Sequence, residues 1–244
     1  MCLPRAAENR SQQGRLNSNP CIRIKDEPEK CRERYLTPDE NSRLRKALTA
    51  DLEFLRLPIE VSLGTGLRKR IELLRLKGEH INFSARSVFH PIVGGDVEIP
   101  PGWLIVVEGK GRKYGLIPMN SVVRKALQEA MHDRSPDDLV LTSNHNSVNE
   151  YSLRWGFEVA WHRAGIVYGE TKRGGIIWHD LRRTFATRLR ANGVHEYDIQ
   201  DLLGHAKPGV TKVYARATLA TLEAAVATLT QPWGEVIEFD RKAS

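Results

Sequence analysis

His179 and Arg182 stand three residues apart in HDLRRTFATRL, a stretch with helical patterning. Residues three apart on a helix project from one face about a turn apart, so this pair can grip one anion together. A second histidine, His205, ends the apolar run LLGH, and Tyr214 follows it by nine residues. An arginine, two histidines and a tyrosine, with no accompanying carboxylate cluster, suit direct attack on a phosphodiester by a phenolic oxygen. Taken singly, each residue has an ordinary structural reading as a packing residue, a helix end or a solvated helix edge. Their shared order and spacing carry the chemical reading.

A phosphodiester under attack becomes five-coordinate and gathers negative charge on its non-bridging oxygens, so fixed cations and donors there lower the barrier. Guanidinium groups suit this role because each is always charged and presents a planar fork of N–H donors. The chain of 244 residues has a formal net charge of +7. The positive residues are grouped in RKRIELLRLK (Arg68 to Lys77), KGRK (Lys110 to Lys113) and RRTFATRLR (Arg182 to Arg190). Grouping beside the proposed chemistry points to a polyanionic partner such as double-stranded DNA.

The order of these motifs strongly resembles the tyrosine recombinase, or phage integrase, family. LGTGLR, ending at Arg68, is similar to the family's first arginine motif, and VEGKGRKYGLIPMN to its β-hairpin lysine motif, with the lysine at Lys110. Arg182 precedes His205 by 23 residues, and His205 precedes Tyr214 by nine, in keeping with the family pattern. The resemblance implies Tyr214 as nucleophile, forming a 3′-phosphotyrosyl ester. It also implies that Arg68, Arg182 and His205 contact the phosphate, that His179 is a general base and that Lys110 is the general acid. No cofactor or metal is expected: there is no ATP motif and no acidic cluster able to hold two magnesium ions. The expected reaction is site-specific strand cleavage and rejoining. A topoisomerase IB-like relaxing activity and an impaired DNA-binding remnant are the alternative readings.

One departure concerns the first motif. The family's glutamate comes three residues after the arginine, whereas Arg68 and Glu72 are four apart. An extra residue turns a helix by about 100°. Either the local backbone absorbs it or Arg68 is displaced, with Lys69 and Arg70 occupying the other registers. Arg68 is the residue expected in the site.

The elements that must position these residues read as a mainly helical α+β fold with a small antiparallel β-sheet, the tyrosine recombinase catalytic-domain fold by resemblance. Residues 35–230 are assigned to that domain, 1–34 to a polar linker remnant poor in large apolar groups, and 231–244 to a tail. Thr37-Pro38-Asp39-Glu40 supplies a capping residue, a proline for the first helical position and a carboxylate at the third, so a helix should run to about Thr49. An apolar stretch from Leu52 to Leu63 should form a buried helix that bends or restarts at Pro58, followed by a glycine turn at Gly64 and Gly66. Leu73, Leu74 and Leu76 should line the next helix. HINFS, WLIVVEG and KYGLIPM have strand character, the last two joined by a turn over Gly109 to Arg112. Further helices are expected near Ser121–His132, Ser152–Ala164, His179–Ala191, Tyr197–Leu203 and Leu219–Leu229.

By resemblance, the family's separate DNA-clamping domain is missing here, since only 18 residues precede the linker-like NPCIRIKDEPEKC. A partner or full-length relative would then supply the clamp. The C-terminal helix would either dock on a neighbouring protomer on DNA or pack in its own domain. The three cysteines fall within the first 31 residues, without a paired spacing, and no segment has the roughly 18 apolar residues of a membrane span. These features point to a reducing compartment and a cytoplasmic, nucleoid-associated protein.

Overall fold

The computed structural model describes residues 33–108, 113–143, 146–204 and 217–230. The described residues from Arg34 onward belong to one compact unit. Helix α1 (Pro38–Ala47) begins as expected. Thr37 accepts from the Glu40 amide at 3.2 Å, and the Glu40 carboxylate accepts from the Thr37 amide at 3.0 Å, a complete capping box. Its buried Leu44 seats the helix on the core.

The next apolar stretch divides into a 3₁₀ segment (Ala50–Leu55) and helix α2 (Arg56–Thr65). The break therefore falls before Pro58, which sits in the first turn of α2, where a missing N–H costs nothing. At the other end, Gly66 has φ +69° and its amide bonds to Ser62 O at 3.0 Å, a left-handed helix stop. Leu73–Arg75 and Gly78–His80 are short 3₁₀ turns instead of a full helix. Leu73 and Leu76 nonetheless reach the core.

Of the strands, β1 (Val88–Ile92) and β2 (Gly95–Ile99) form a hairpin absent from the sequence expectation, whereas β3 (Trp103–Glu108) and β4 (Lys113–Pro118) form the expected one. HINFS is not a regular strand. It contributes a 3₁₀ turn and one isolated bridge, Ile81 to Leu104. The antiparallel structure is thus held in separate two-stranded units, the last being β5 (Thr142–Ser143) with β6 (Asn146–Ser147). Strand β3 is apolar from Trp103 to Val107 because both its faces are covered. Leu104 and Val106 enter the main core, while Trp103 and Ile105 pack with Val97 and Ile99 of β2.

Helix α3 (Ser121–Ala130) crosses α2 so closely that a Cβ on Gly64 would come within 2.2 Å of Val123 Cγ2. Helix α4 (Glu150–Arg163) packs on α1 and on the 3₁₀ segment that precedes α2. There Arg163 clamps Asp51 through two hydrogen bonds of 2.8 and 2.7 Å, which holds that carboxyl at about 2. Helix α5 (His179–Ala191) lies against α2. Phe185 and Leu189 of α5 form a second core with α6 (Glu196–Leu202) and α7 (Leu219–Ala227).

The C-terminal helix packs within its own chain. Ala225, Val226 and Leu229 are buried in that second core. Trp103 Nε1 donates to Glu223 Oε1 at 2.6 Å, and Arg188 Nη2 donates to Leu229 O at 2.6 Å. Among the described residues, no helix is long and apolar enough to cross a membrane.

The close approach of α2 and α3 has a measurable consequence. Gly64→Ala must push Val123 away inside a packed core, so it is expected to lower unfolding free energy by about 1–3 kcal/mol in urea titrations. An unchanged midpoint would mean that the two helices part easily.

Candidate functional site

Arg68 leaves the left-handed turn at Gly66 and enters an unusual turn. The Leu73 amide donates to Arg68 O, and that of Leu74 to Lys69 O, both at 3.0 Å and both five residues apart. With the Glu72 amide also bonding to Arg68 O at 3.1 Å, these bonds close a wide turn ahead of the 3₁₀ segment at Leu73. That turn sets Arg68 and Glu72 side by side despite the four-residue spacing. Glu72 reaches back to Arg68, accepting from its amide at 2.6 Å and from its Nε at 2.5 Å. Lys69 and Arg70 turn elsewhere, to Glu150 of α4 at 3.5 and 2.9 Å.

Arg182 approaches the same carboxylate from α5. Its Nη1 lies 3.8 Å from Glu72 Oε2 and donates to Gly66 O at 2.7 Å, while Nη2 donates to Leu203 O at the end of α6. Arg182 and Glu72 are buried, with side-chain exposures of 9% and 5%, whereas Arg68 keeps 36%. Burial pulls the Arg182 guanidinium below its ordinary range, Glu72 pushes it back up and Arg68 pulls it further down. It remains a cation at any physiological pH. Two arginines from distant parts of the chain thus meet at one carboxylate, at the edge of a cavity of about 380 Å³ that also touches Tyr114, Asp201 and Gly204.

His179 is the first residue of α5, and it lines a neighbouring cavity with Arg68 and Arg182. Its imidazole is held below its usual range, first by partial desolvation and then by the charges of Arg183, Arg182 and Arg68, against the opposing pull of Asp180. One edge of the residue nonetheless remains exposed. A neutral imidazole at neutral pH can accept a proton. Asp180 anchors this end of the helix: it is fully buried, accepts from the Ile177 amide at 2.8 Å and from Arg183 Nη1 at 2.7 Å. Thr184 ties α5 to the segment that leads into α1, accepting from the Leu36 amide at 2.8 Å.

Arg68, His179 and Arg182 are therefore brought together. Lys110, His205 and Tyr214 lie outside the described residues. The flanks of the segments that carry them are defined, however. The β3–β4 register closes at Glu108 opposite Lys113, on either side of Lys110. Gly204, immediately before His205, lines the cavity, and the Ala217 amide lies 3.4 Å from Asp201 Oδ2 on α6. Glu72 is the member whose role spacing obscured, and its i, i+4 carboxylate beside Arg68 was the available signal. Tyr114 and Asp201 on the cavity rim carried no such signal. Among the described residues, no three His, Cys, Asp or Glu side chains converge to hold a metal ion.

Two outcomes follow from this geometry. Glu72→Ala leaves two guanidinium groups without their shared counter-charge and should cost about 2–4 kcal/mol, below the range for a fully buried pair because Arg68 is partly exposed. A loss under about 0.5 kcal/mol in chemical denaturation would show that the carboxylate is dispensable. For His179, an NMR titration should give a midpoint below that of a free imidazole, and Arg183→Gln should move it upward by removing a nearby positive charge. A downward movement would contradict the electrostatic assignment.

A profile of the phage integrase family matches residues 34–220. Tyrosine recombinase XerA of Pyrococcus furiosus is 31% identical over 191 residues, covering 78% of this chain and 60% of that protein. Tyrosine recombinase XerD of Listeria innocua is 27% identical over 225 residues, covering 86% of this chain and 67% of the relative. The chain thus spans about three-fifths to two-thirds of these relatives' lengths. Two solved structures share the fold: the integrase of mycobacterium phage Brujita (TM-score 0.58, 22% identity, 98% of this chain and 72% of that one) and a lambda integrase dimer bound to a COC′ core site (TM-score 0.60, 19% identity, 98% and 60%). With that match running over most of its length, the chain belongs to the phage integrase family of tyrosine recombinases.

Proposed function

We propose that this chain carries the strand-exchange chemistry of a site-specific DNA recombinase, cleaving and rejoining duplex DNA through a covalent 3′-phosphotyrosine. The observation that carries this reading is the convergence of Arg68 and Arg182 on Glu72 beside His179. Two guanidinium groups held on one carboxylate line the cavity, and a phosphoryl group bound there would meet both.

In the proposed step, the phenolic oxygen of Tyr214 bonds to phosphorus and the bond from phosphorus to the 5′ oxygen breaks. The phenolic proton passes to His179. The departing oxygen takes a proton from Lys110 and leaves as a 5′ hydroxyl. His205 donates to a non-bridging oxygen. Attack by a 5′ hydroxyl reverses the sequence and conserves the phosphodiester, so no nucleotide fuel is consumed.

The partner proposed is double-stranded DNA, with the protein located on it. Self-association would use the C-terminal helix. Because its apolar face is already buried in its own chain, the helix would have to exchange between protomers. A DNA-clamping domain acting beside this one would add phosphate contacts and raise affinity, with a steeper salt dependence.

The test is covalent trapping on nicked random-sequence duplexes at low salt with EDTA present, followed by SDS gel analysis. A protein–DNA band is expected from the unaltered chain and none from Tyr214→Phe. Arg68→Ala and Arg182→Ala should each reduce the rate of band formation by about 100- to 1000-fold. A band that persists in Tyr214→Phe would overturn the assignment of the nucleophile. DNA retention with no band from the unaltered chain would overturn the proposed activity.

A further inference from the structure

The second cavity extends beyond the paired arginines, along a basic ledge that the chemistry described above does not use. It is lined by Arg68, His179 and Arg182 of the site, by Lys69, Arg70 and Arg154, and by the carboxylates of Glu150 and Glu170. Glu150, the first residue of α4, is held by Lys69 Nζ at 3.5 Å and Arg70 Nε at 2.9 Å. Glu150 is 43% exposed, Arg70 74% and Lys69 20%, so the cluster faces solvent and can be rearranged.

The geometry points to a second phosphate-binding site in this ledge, formed by Lys69 and Arg70, in which Glu150 occupies the phosphate position until DNA displaces it. The inference rests on the reading of the chain as a DNA-acting recombinase. Three observations support it. The ledge is continuous with the site through Arg68, so a strand whose scissile phosphate meets Arg68 and Arg182 carries its next phosphates past it. In the turn that follows Arg68, the next two cations, Lys69 and Arg70, pair with Glu150 of α4 and not with Glu72. A carboxylate bridging a lysine and an arginine offers the same oxygen acceptors and charge as a phosphodiester. Exposed ion pairs of this kind are weak enough to exchange.

This arrangement acts as a regulator of affinity. Without DNA, Glu150 neutralises much of the ledge and limits non-specific attraction. With DNA, it must give up both cations, so every bound phosphate is taken in competition with it. Removing the carboxylate should therefore tighten binding, and removing the cations should weaken it.

The experiment measures retention of a random-sequence duplex by the full chain across a salt series, together with covalent trapping on the same samples. Glu150→Gln should bind roughly 3- to 10-fold tighter, the scale of two exposed ion pairs released. Lys69→Gln/Arg70→Gln should lower the slope of log affinity against log salt by about 1 to 2, as expected for one or two lost phosphate contacts, and adding Glu150→Gln to it should give no further gain. Arg70→Gln alone is the milder variant should the double one unfold, with a slope change of about 1 expected. Glu129→Gln on α3, an exposed carboxylate outside this cavity, controls for net charge.

The proposal fails if Glu150→Gln gains no more than Glu129→Gln, or if its gain survives in the Lys69→Gln/Arg70→Gln background. A lower melting temperature without tighter binding would make Glu150 a helix-end residue only. These outcomes are separate from the chemistry. An unaltered chain that binds DNA without forming a covalent band overturns the recombinase activity while leaving the Glu150 comparison readable. An unaltered chain that binds no DNA even at low salt overturns both.

Discussion

The site depends on one buried carboxylate. Glu72 lies between two guanidinium groups that reach it from distant parts of the sequence, one from the turn after α2 and one from the first turn of α5. Two permanent cations at this distance in a poorly solvated setting would repel each other and splay into water. The negative charge between them reverses that preference. The neighbouring backbone fixes the remaining freedom: Gly66 O and Leu203 O each take a donor from Arg182, so three chain segments share one guanidinium. The result is a cationic surface assembled during folding, with little left to reorganise when charge develops on a phosphoryl group.

Much of the surrounding fold was legible because it is locally determined. The capping box at Thr37 and Glu40 needs only four residues, and α1 begins where it says. The run from His179 to Ala191 has a clean helical period, and its limits agree with the structure. Strands β3 and β4 were marked by continuous β-branched and aromatic residues. Their burial on two sides, which explains that composition, depends on a hairpin that was not anticipated. Yet β1 and β2 carried their own signals: Val97 and Ile99 alternate with Asp96 and Glu98, and paired glycines at 94 and 95 take positive φ at the turn.

What resisted the sequence was mostly context. Leu73, Leu74 and Leu76 have helical apolar spacing, but the wide turn before them is closed by i, i+5 bonds, and only a 3₁₀ turn follows. HINFS has strand-like residues, yet Asn82 is drawn into a buried hub: its side chain donates to Arg86 O and Ile99 O, both at 2.8 Å, and its carbonyl oxygen accepts from Ser84. A side chain that replaces ladder hydrogen bonds ends a strand. In the site, the four-residue interval from Arg68 to Glu72 could be read as either displacement or absorption. Only the backbone path decides between them, and it keeps Arg68 beside Glu72 while turning Lys69 and Arg70 to Glu150.

The cationic field also constrains how protons can move. Positive charges that favour a developing phosphorane dianion make His179 a weaker base, since each of them disfavours imidazolium. A phenol in water has a pKa near 10, so complete transfer of its proton to such an imidazole before attack would be steeply uphill. The same field, however, favours phenolate over phenol for any tyrosine that enters the cavity, and it favours negative charge on the phosphoryl oxygens still more as the new bond forms. If His179 is the base, the proton it takes is accepted against the field, so its transfer must be coupled to phosphorus–oxygen bond formation, where the gain in favourably placed negative charge offsets that cost. Partial desolvation and the neighbouring arginines, which lower the basicity of His179, thus set the condition under which the proposed base would act.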